Sequence, residues 1–551
     1  MLYNRVAVEL EGTTEKKGTG SKANMLDRIS DDLVVFFYIS VLTVVAIYGF
    51  HRYILVYLYL KHRHENYQPD SQFNELPRVT VQLPMYNEHL VAERIIESTC
   101  QIDYPREKLE IQVLDDSTDD SARIAREACE KWAAKGYPVK YIHRDDRKGY
   151  KAGALAEGLL QASGEFIAIF DADFLPPRDI LYNVMDYFTD DKVGLVQVRW
   201  DHLNRDASLL TKSQAIFLDG HFVIEHTARN RSGRFMHFNG TAGVWRRKTI
   251  VDAGGWEHDT LTEDLDLSYR AQMKGWQFVY LPQFCAPAEL PPEMIGFKQQ
   301  AHRWTKGSVQ TAIKLLPKVL RSKHLPLSVK TEAFFHLTNT IVYVLMVLLT
   351  ILMYPAFLSF YSPLKEHAHT WGQSLFSLSL FILATCSAST FFIFGQKELL
   401  GRVAGWKALL YMPVLMSLGV GVSLNNAKAV VEAIWGAIRR KPSEFIRTQK
   451  YGVTGLAKRT WHSSSVWTLR QLSLPIVEIA FGCYMSCWIF ISIYYDFCLQ
   501  AVPFLSIFAG GYFYVGFNSL YALYKMHQEA GEAAALIGTT VVEAAVEPLS
   551  T

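Results

Sequence analysis

The apolar residues of this 551-residue chain gather in long runs, and from Leu76 to Pro326 no such run occurs. The first run is Leu33–Leu60, closed by Lys61, His62 and Arg63; others follow at Phe334–Tyr361, Leu375–Phe394, Leu474–Tyr495 and Phe504–Tyr524. About 20 apolar residues cross a bilayer, so these runs predict five membrane helices, one before the polar island and four after it. A secretory signal peptide would start nearer Met1 with a shorter apolar core, so the first run reads as an uncleaved membrane helix.

Composition narrows the class. Lys plus Arg number 56 against 54 Asp plus Glu, a formal net charge of +2. That balance excludes a dedicated nucleic-acid binder, and no nucleic-acid partner is expected. Half of the residues are hydrophobic and 20% charged, which excludes a mainly disordered chain. The seven Cys form no CxxC pair. They read as small buried hydrophobes in a reducing compartment, not as a disulfide scaffold.

One stretch, Trp406–Trp435, is ambiguous. It contains Pro413, Gly419 and Gly421 with the polar Ser423, Asn425, Asn426, Lys428 and Glu432, and a basic segment from Arg439 to Arg459 follows it. Basic short loops stay cytoplasmic, so the stretch is expected to lie at the interface as an amphipathic helix. The same rule puts Lys314, Lys318, Arg321, Lys323 and Lys330 inside, hence a cytosolic island, an outer N-terminus and an inner C-terminal tail.

Within the island, strand-like runs alternate with helical patterns. Val79–Leu83 leads into a turn-prone Pro84–Glu88; Leu109–Leu114 ends in Asp115–Asp120; Val139–His143 follows; Phe166–Phe170 ends in Asp171-Ala172-Asp173. Strands separated by helices of 10–15 residues predict a mostly parallel α/β sheet. In such sheets ligands bind beyond the carboxyl ends of the strands, where both acidic clusters fall.

Each cluster supports a chemical and a structural reading. Asp171 and Asp173 can hold a hard divalent cation with open positions for phosphate oxygens, or form an Asp-rich turn before Pro176 and Pro177. Ser117 or Thr118 can cap the next helix, yet capping does not require Asp115 and Asp116, which can accept hydrogen bonds from a base or ribose. Lys151 can reach a diphosphate or remain a solvated lysine. Glu263 and Asp264 open a helix behind Thr262, a possible cap; functionally, Asp264 is positioned to take a proton from a hydroxyl. Gln300, Arg303 and Trp304 offer an amide, a phosphate-clamping guanidinium and a stacking indole on one or two helical turns.

The ordered set QLPMYNE, VLDDSTDD, YKAGAL, FDADF, FNGTAGVWR, TEDLDLSYR and QQAHRW, from Pro77 to Gly307, resembles family 2 membrane glycosyltransferases of the cellulose synthase and cellulose-synthase-like, glucomannan-synthase-like group. The resemblance implies a GT-A fold and a processive, inverting hexosyltransferase that builds a β-linked glucan or mannan and exports it through its own channel. The other open reading is a non-processive transferase that glycosylates a lipid. Carried over by motif, Asp264 is the catalytic base, Asp115, Asp116, Lys151, Asp171 and Arg303 hold the nucleotide sugar, and Asp171 with Asp173 hold Mg²⁺ or Mn²⁺. Trp304, Gln300, Phe238, Asn239, Gly240, Thr241 and Glu263 face the acceptor, although Asn239 stands where cellulose synthases usually have Cys. Phe445, Thr448 and Lys450 belong to a gating-like loop in which Arg447 replaces the usual Val.

The expected organisation is a tail (1–31), a transmembrane helix (32–60), a cytosolic GT-A domain (77–325) and a transmembrane hairpin (326–396). An interface helix with the gating-like loop (397–473), a second hairpin (474–525) and a tail (526–551) complete it. The donor is expected to be UDP-glucose or GDP-mannose and the acceptor the growing glycan. Membrane lipid surrounds the bundle, in a plasma or inner membrane or the Golgi, and accessory or oligomeric partners stay open.

Overall fold

The computed structural model describes residues 20–360, 371–439, 443–445, 450, 452, 469–494 and 499–546. Arg447 and Thr448 of the gating-like loop lie outside the described residues, as do parts of both tails.

Seven strands form one sheet: β1 (Val79–Met85), β2 (Leu109–Asp115), β3 (Val139–His143), β4 (Phe166–Ile169), β5 (Val193–His202), β6 (Gly243–Arg246) and β7 (Gln277–Ala288). Their order is β3-β2-β1-β4-β6-β5-β7. All neighbours are parallel except β6, which runs antiparallel to β4 and β5. The central strands are buried on both faces, as expected of a parallel sheet covered by helices. In β4, Phe166 and Ala168 enter one core with Val81 and Leu83, while Ile167 and Ile169 enter the other with Leu155 and Trp245.

Register then places the chemistry. Met85 pairs with Asp115, and Asp115 with His143, so three strands end at one edge. The chain winds outward from β1 to β3 and returns to β4 beside β1, which opens the crevice where loops diverge. The α/β class and the acidic clusters at this edge are as the sequence predicts.

Three helices are long and apolar enough to cross a membrane among the described residues: Leu33–His62, Arg402–Arg439 and Gln471–Tyr494. A pair bent by 56°, Leu327–Thr338 with Ile341–Ala356, makes up to four. Against about five expected spans, three to four helices among the described residues meet this criterion, consistent with a membrane bundle. The run from Phe334 to Tyr361 is broken near Asn339, because Leu327–Thr338 is docked on the island. There Glu332 accepts from Arg229 (2.8 Å) and bonds His51 (2.9 Å), and His336 meets the Tyr269 hydroxyl at 2.8 Å. The runs beginning at Leu375 and Phe504 lie in Trp371–Leu400 and Val502–Val546, which pack into the bundle but do not meet the same criterion among the described residues.

Arg402–Arg439 is apolar enough to cross, yet its contacts keep returning to the island. Just before it Gln396 donates to Asp219 (2.7 Å); along it Met412 and Leu415 pack with Ile216 and Val223, and Leu418 and Val422 with Leu210 and Met294. Near its end Lys306 reaches Glu432 at 3.1 Å. Gly421 serves packing: a methyl group added there would lie 2.3 Å from the Gly511 carbonyl, so only glycine permits this approach.

Candidate active site

The crevice is lined by Asp116, Lys151, Asp171, Asp173, Asn239, Gly240, Glu263, Asp264, Gln300, Arg303, Trp304, Phe445 and Lys450. Residues from seven separate motifs therefore share one cavity. Asp171 and Asp173 follow β4, Lys151 enters on helix Tyr150–Gln161, Asp264 on helix Glu263–Met273, and the Gln300–Trp304 segment on helix Met294–Arg321.

Lys151 is the hub. Its Nζ donates to Asp171 Oδ1 at 2.5 Å and to the Gly240 carbonyl at 2.8 Å. Burial alone would lower its pKa, but Asp171, Glu263 and Asp264 more than offset that and raise it. The Asp171 amide donates to Thr241 Oγ1 at 2.9 Å, so Thr241 supports the acidic turn from beneath. Burial pushes the Asp264 carboxyl up to about 7, with the Glu263 charge adding to the effect and Lys151 opposing it. Glu263 is raised too, again chiefly by burial. Arg303 faces the same carboxylates, and its guanidinium lies 4.6 Å from the Phe445 ring centre.

Three residues outside glycine have left-handed backbone among those described: Asn87, Tyr150 and Ala242. Each stands within two residues of a residue that lines the cavity, the placement expected where strain is held for function.

Some sequence expectations change in detail. Asp115 and Asp116 are not equivalent. Asp115 is fully buried, accepting from the Tyr141 hydroxyl at 2.7 Å and from the Ser117 amide at 3.1 Å. Asp116 is the one at the cavity, held by Arg144 at 2.7 and 2.5 Å. Phe238 is also buried, beneath the pocket loop. Neither proposed cap forms. Ser117 accepts from the Asn87 amide at 2.7 Å, tying the loop to the β1 turn, and Thr262 pairs with Thr311 at 3.1 Å.

The sequence pattern gave no sign of the cage around Asn239. Its Nδ2 lies 3.1 Å from His221 Nε2 and 3.2 Å from His237 Nε2, and its Oδ1 lies 2.5 Å from His226 Nε2. His221 and His226 sit on a π-helical segment, Gly220–His226, which re-aims side chains that an α-helix would spread. Arg147 and Glu289 also line the cavity without having been expected there.

With this geometry in hand, the likeness to known proteins becomes specific. Residues 77–307 match the family described as glycosyltransferase like family 2. The island is a family 2 glycosyltransferase domain. Its sheet has the GT-A-like mixed α/β form that the resemblance implied. The chain is 40% identical over 264 residues to glucomannan 4-beta-mannosyltransferase 9 of Arabidopsis thaliana, covering 47% of this chain and 50% of that one. It is 40% identical over 285 residues to glucomannan 4-beta-mannosyltransferase 1 of Cyamopsis tetragonoloba, covering 50% and 54%. The chain thus spans about half the length of the curated relatives it matches. Among solved structures it is similar to a mannosyltransferase of Pyrobaculum calidifontis in complex with GDP-Man and Mn²⁺. That match has 20% identity and a TM-score of 0.48, covering 73% of this chain and 99% of that one.

Proposed function

We propose that the chain is a processive, inverting hexosyltransferase that extends a β-linked mannan or glucomannan from GDP-mannose and passes it into its own helical bundle. The observation that carries this reading is the convergence of Asp264, Lys151, Arg303 and Trp304 with the Asp171/Asp173 turn in one cavity. The names of the glucomannan mannosyltransferase relatives support mannose over glucose as the main sugar.

Asp264 takes the proton of the acceptor hydroxyl as that oxygen bonds to C1 of the donor sugar. Its raised pKa suits a base that must receive a proton near neutral pH. The bond from C1 to the diphosphate breaks on the opposite face, which inverts the configuration. Arg303 and Lys151 supply fixed positive charge for the departing diphosphate, so no carboxylic acid is needed to protonate it. Trp304, 37% exposed, offers a flat apolar ring to the acceptor sugar.

Mg²⁺ or Mn²⁺ fits the donor set at the acidic turn, where the Lys450 ammonium already stands 2.5 Å from Asp173 Oδ2 as a cation. Asp171 and Asp173 would hold the ion, which when bound would neutralise diphosphate charge. The helix Arg402–Arg439 is proposed to lie where domain and membrane meet, with the domain in the cytosol.

The test is Asp264→Asn in the full chain. GDP-mannose binding by calorimetry should survive within about threefold while polymer synthesis falls ~10²–10⁴-fold. Synthesis above a tenth of wild type would remove the base assignment.

A further inference from the structure

A second cavity, of about 320 Å³, lies at the junction of the first membrane helix and the catalytic domain, away from the active site. Its walls are Tyr59 from that helix, Arg63, Asn66 and Gln68 just beyond its end, Val223, Thr227 and Arg231 from the domain, and Pro282 and Gln283 from β7. The two guanidinium groups differ in their surroundings. Arg63 donates to Glu398 at 3.1 Å. Arg231 donates to the Arg63 carbonyl at 2.5 Å and to the Asn66 side-chain oxygen at 2.9 Å; among the described residues it forms no ion pair, and Glu65, which bonds His62, acts on it only through space. Its Nε is buried with no hydrogen-bond partner, as is Thr227 Oγ1 on the same wall.

A half-buried cation without a contacting counter-ion is costly, because the charge gives up water and gains little opposite charge in return. Burial is the main influence on Arg231 and lowers its pKa. The missing partner is an anion. Position indicates which kind. The span Leu33–His62 has 30 residues, about 45 Å of helix at 1.5 Å per residue, so its end reaches the headgroup layer. Tyr57 and Tyr59, followed by Lys61, His62 and Arg63, form the aromatic and basic collar typical of that depth. Exposed Asn66, Gln68 and Gln283 leave the mouth polar and uncharged, suited to the hydroxyls beyond a phosphate.

We propose that this cavity binds the phosphate of an anionic phospholipid headgroup, with Arg231 and Arg63 as its clamp. The lipid would bridge the first membrane helix and the domain at a site separate from catalysis.

The test uses the full chain in neutral detergent, melted with phosphatidylglycerol, with phosphatidylcholine at equal mole fraction, or with inorganic phosphate. Phosphatidylglycerol should raise the melting midpoint more than phosphatidylcholine. Arg231→Gln should weaken the apparent phosphatidylglycerol affinity about fivefold, the worth of one basic side chain near an anionic surface. Gln283→Glu, at an exposed position, puts a repelling charge at the mouth and should weaken it similarly even if Arg231→Gln fails to fold. Equal stabilisation of wild type by the two lipids, or an unchanged response in Gln283→Glu, would overturn the proposal. A full shift from inorganic phosphate alone, displacing the lipid, would assign the site to soluble phosphate and overturn the lipid source.

Discussion

The ammonium of Lys450 lies 2.5 Å from Asp173 Oδ2, an ion pair between residues 277 positions apart. It brings the segment before the candidate span Gln471–Tyr494 down to the acidic turn of the catalytic domain. Phe445 follows it, stacking on Tyr150 at 5.7 Å between ring centres. A cation from the chain thus occupies the carboxylate proposed to hold the metal.

Lys450 and a divalent ion should therefore compete. In Lys450→Met the Mn²⁺ concentration for half-maximal binding, read by electron paramagnetic resonance, should fall several-fold. Unchanged Mn²⁺ binding would separate the ion pair from the metal site. Excess chelator should abolish wild-type turnover, and full activity without divalent ions would remove the metal altogether.

The pH dependence follows from Asp264, whose carboxyl is pushed up to about 7. As the proposed base, Asp264 must be ionised, so kcat/KM should fall about tenfold per pH unit below that value and level off above it. For stability the sign is opposite to that of an ordinary salt-bridged Asp. With a folded pKa above its unfolded value of about 3.9, the group favours the fold while protonated and loses that contribution as pH rises toward 7. Asp264→Asn should raise the melting temperature at pH 7.5 and flatten its dependence between pH 4 and 7. A lower melting temperature at pH 7.5 would contradict this.

Gly240 has φ of +80°, and a methyl group added there would lie 2.9 Å from Asp264 Oδ2 and 3.3 Å from Lys151 Nζ. Gly240→Ala combines backbone strain of about 1 kcal/mol with a collision against the base. Turnover should drop at least tenfold with a modest loss of stability. Wild-type kcat in a folded variant would show that the Asp264 position is not critical.

Much of this site is legible in the sequence because motifs carry their own local geometry. The acidic runs after β2 and β4 and the Thr262–Asp264 segment fall at strand ends or a helix start, which hydrophobic periodicity locates. What periodicity cannot supply is register and distance. It does not distinguish Asp115 from Asp116, since both stand at the end of one strand and only contacts separate them: Asp115 is held by Tyr141 and Ser117, while Asp116 lines the cavity. Nor does it show three histidines meeting at Asn239, because a π-helical turn and a separate loop bring them together. Details of the helical part are illegible in the sequence for the same reason. The break near Asn339 and the close approach of Gly421 to Gly511 depend on tertiary partners, not on apolarity.

Trp304→Ala separates chemistry from handling of the product. Losing a stacking ring at the acceptor should reduce polymer yield and chain length more than it reduces hydrolysis of the donor. Equal losses in both would place the indole with the donor instead.

The most direct measurement is product analysis with the purified full chain in lipid vesicles, supplied with GDP-mannose and Mn²⁺. The expected product is a long polymer that endo-β-1,4-mannanase digests and that Asp264→Asn does not make. A single sugar attached to lipid, or no polymer from either GDP-mannose or UDP-glucose by protein that binds them, would contradict processive synthesis.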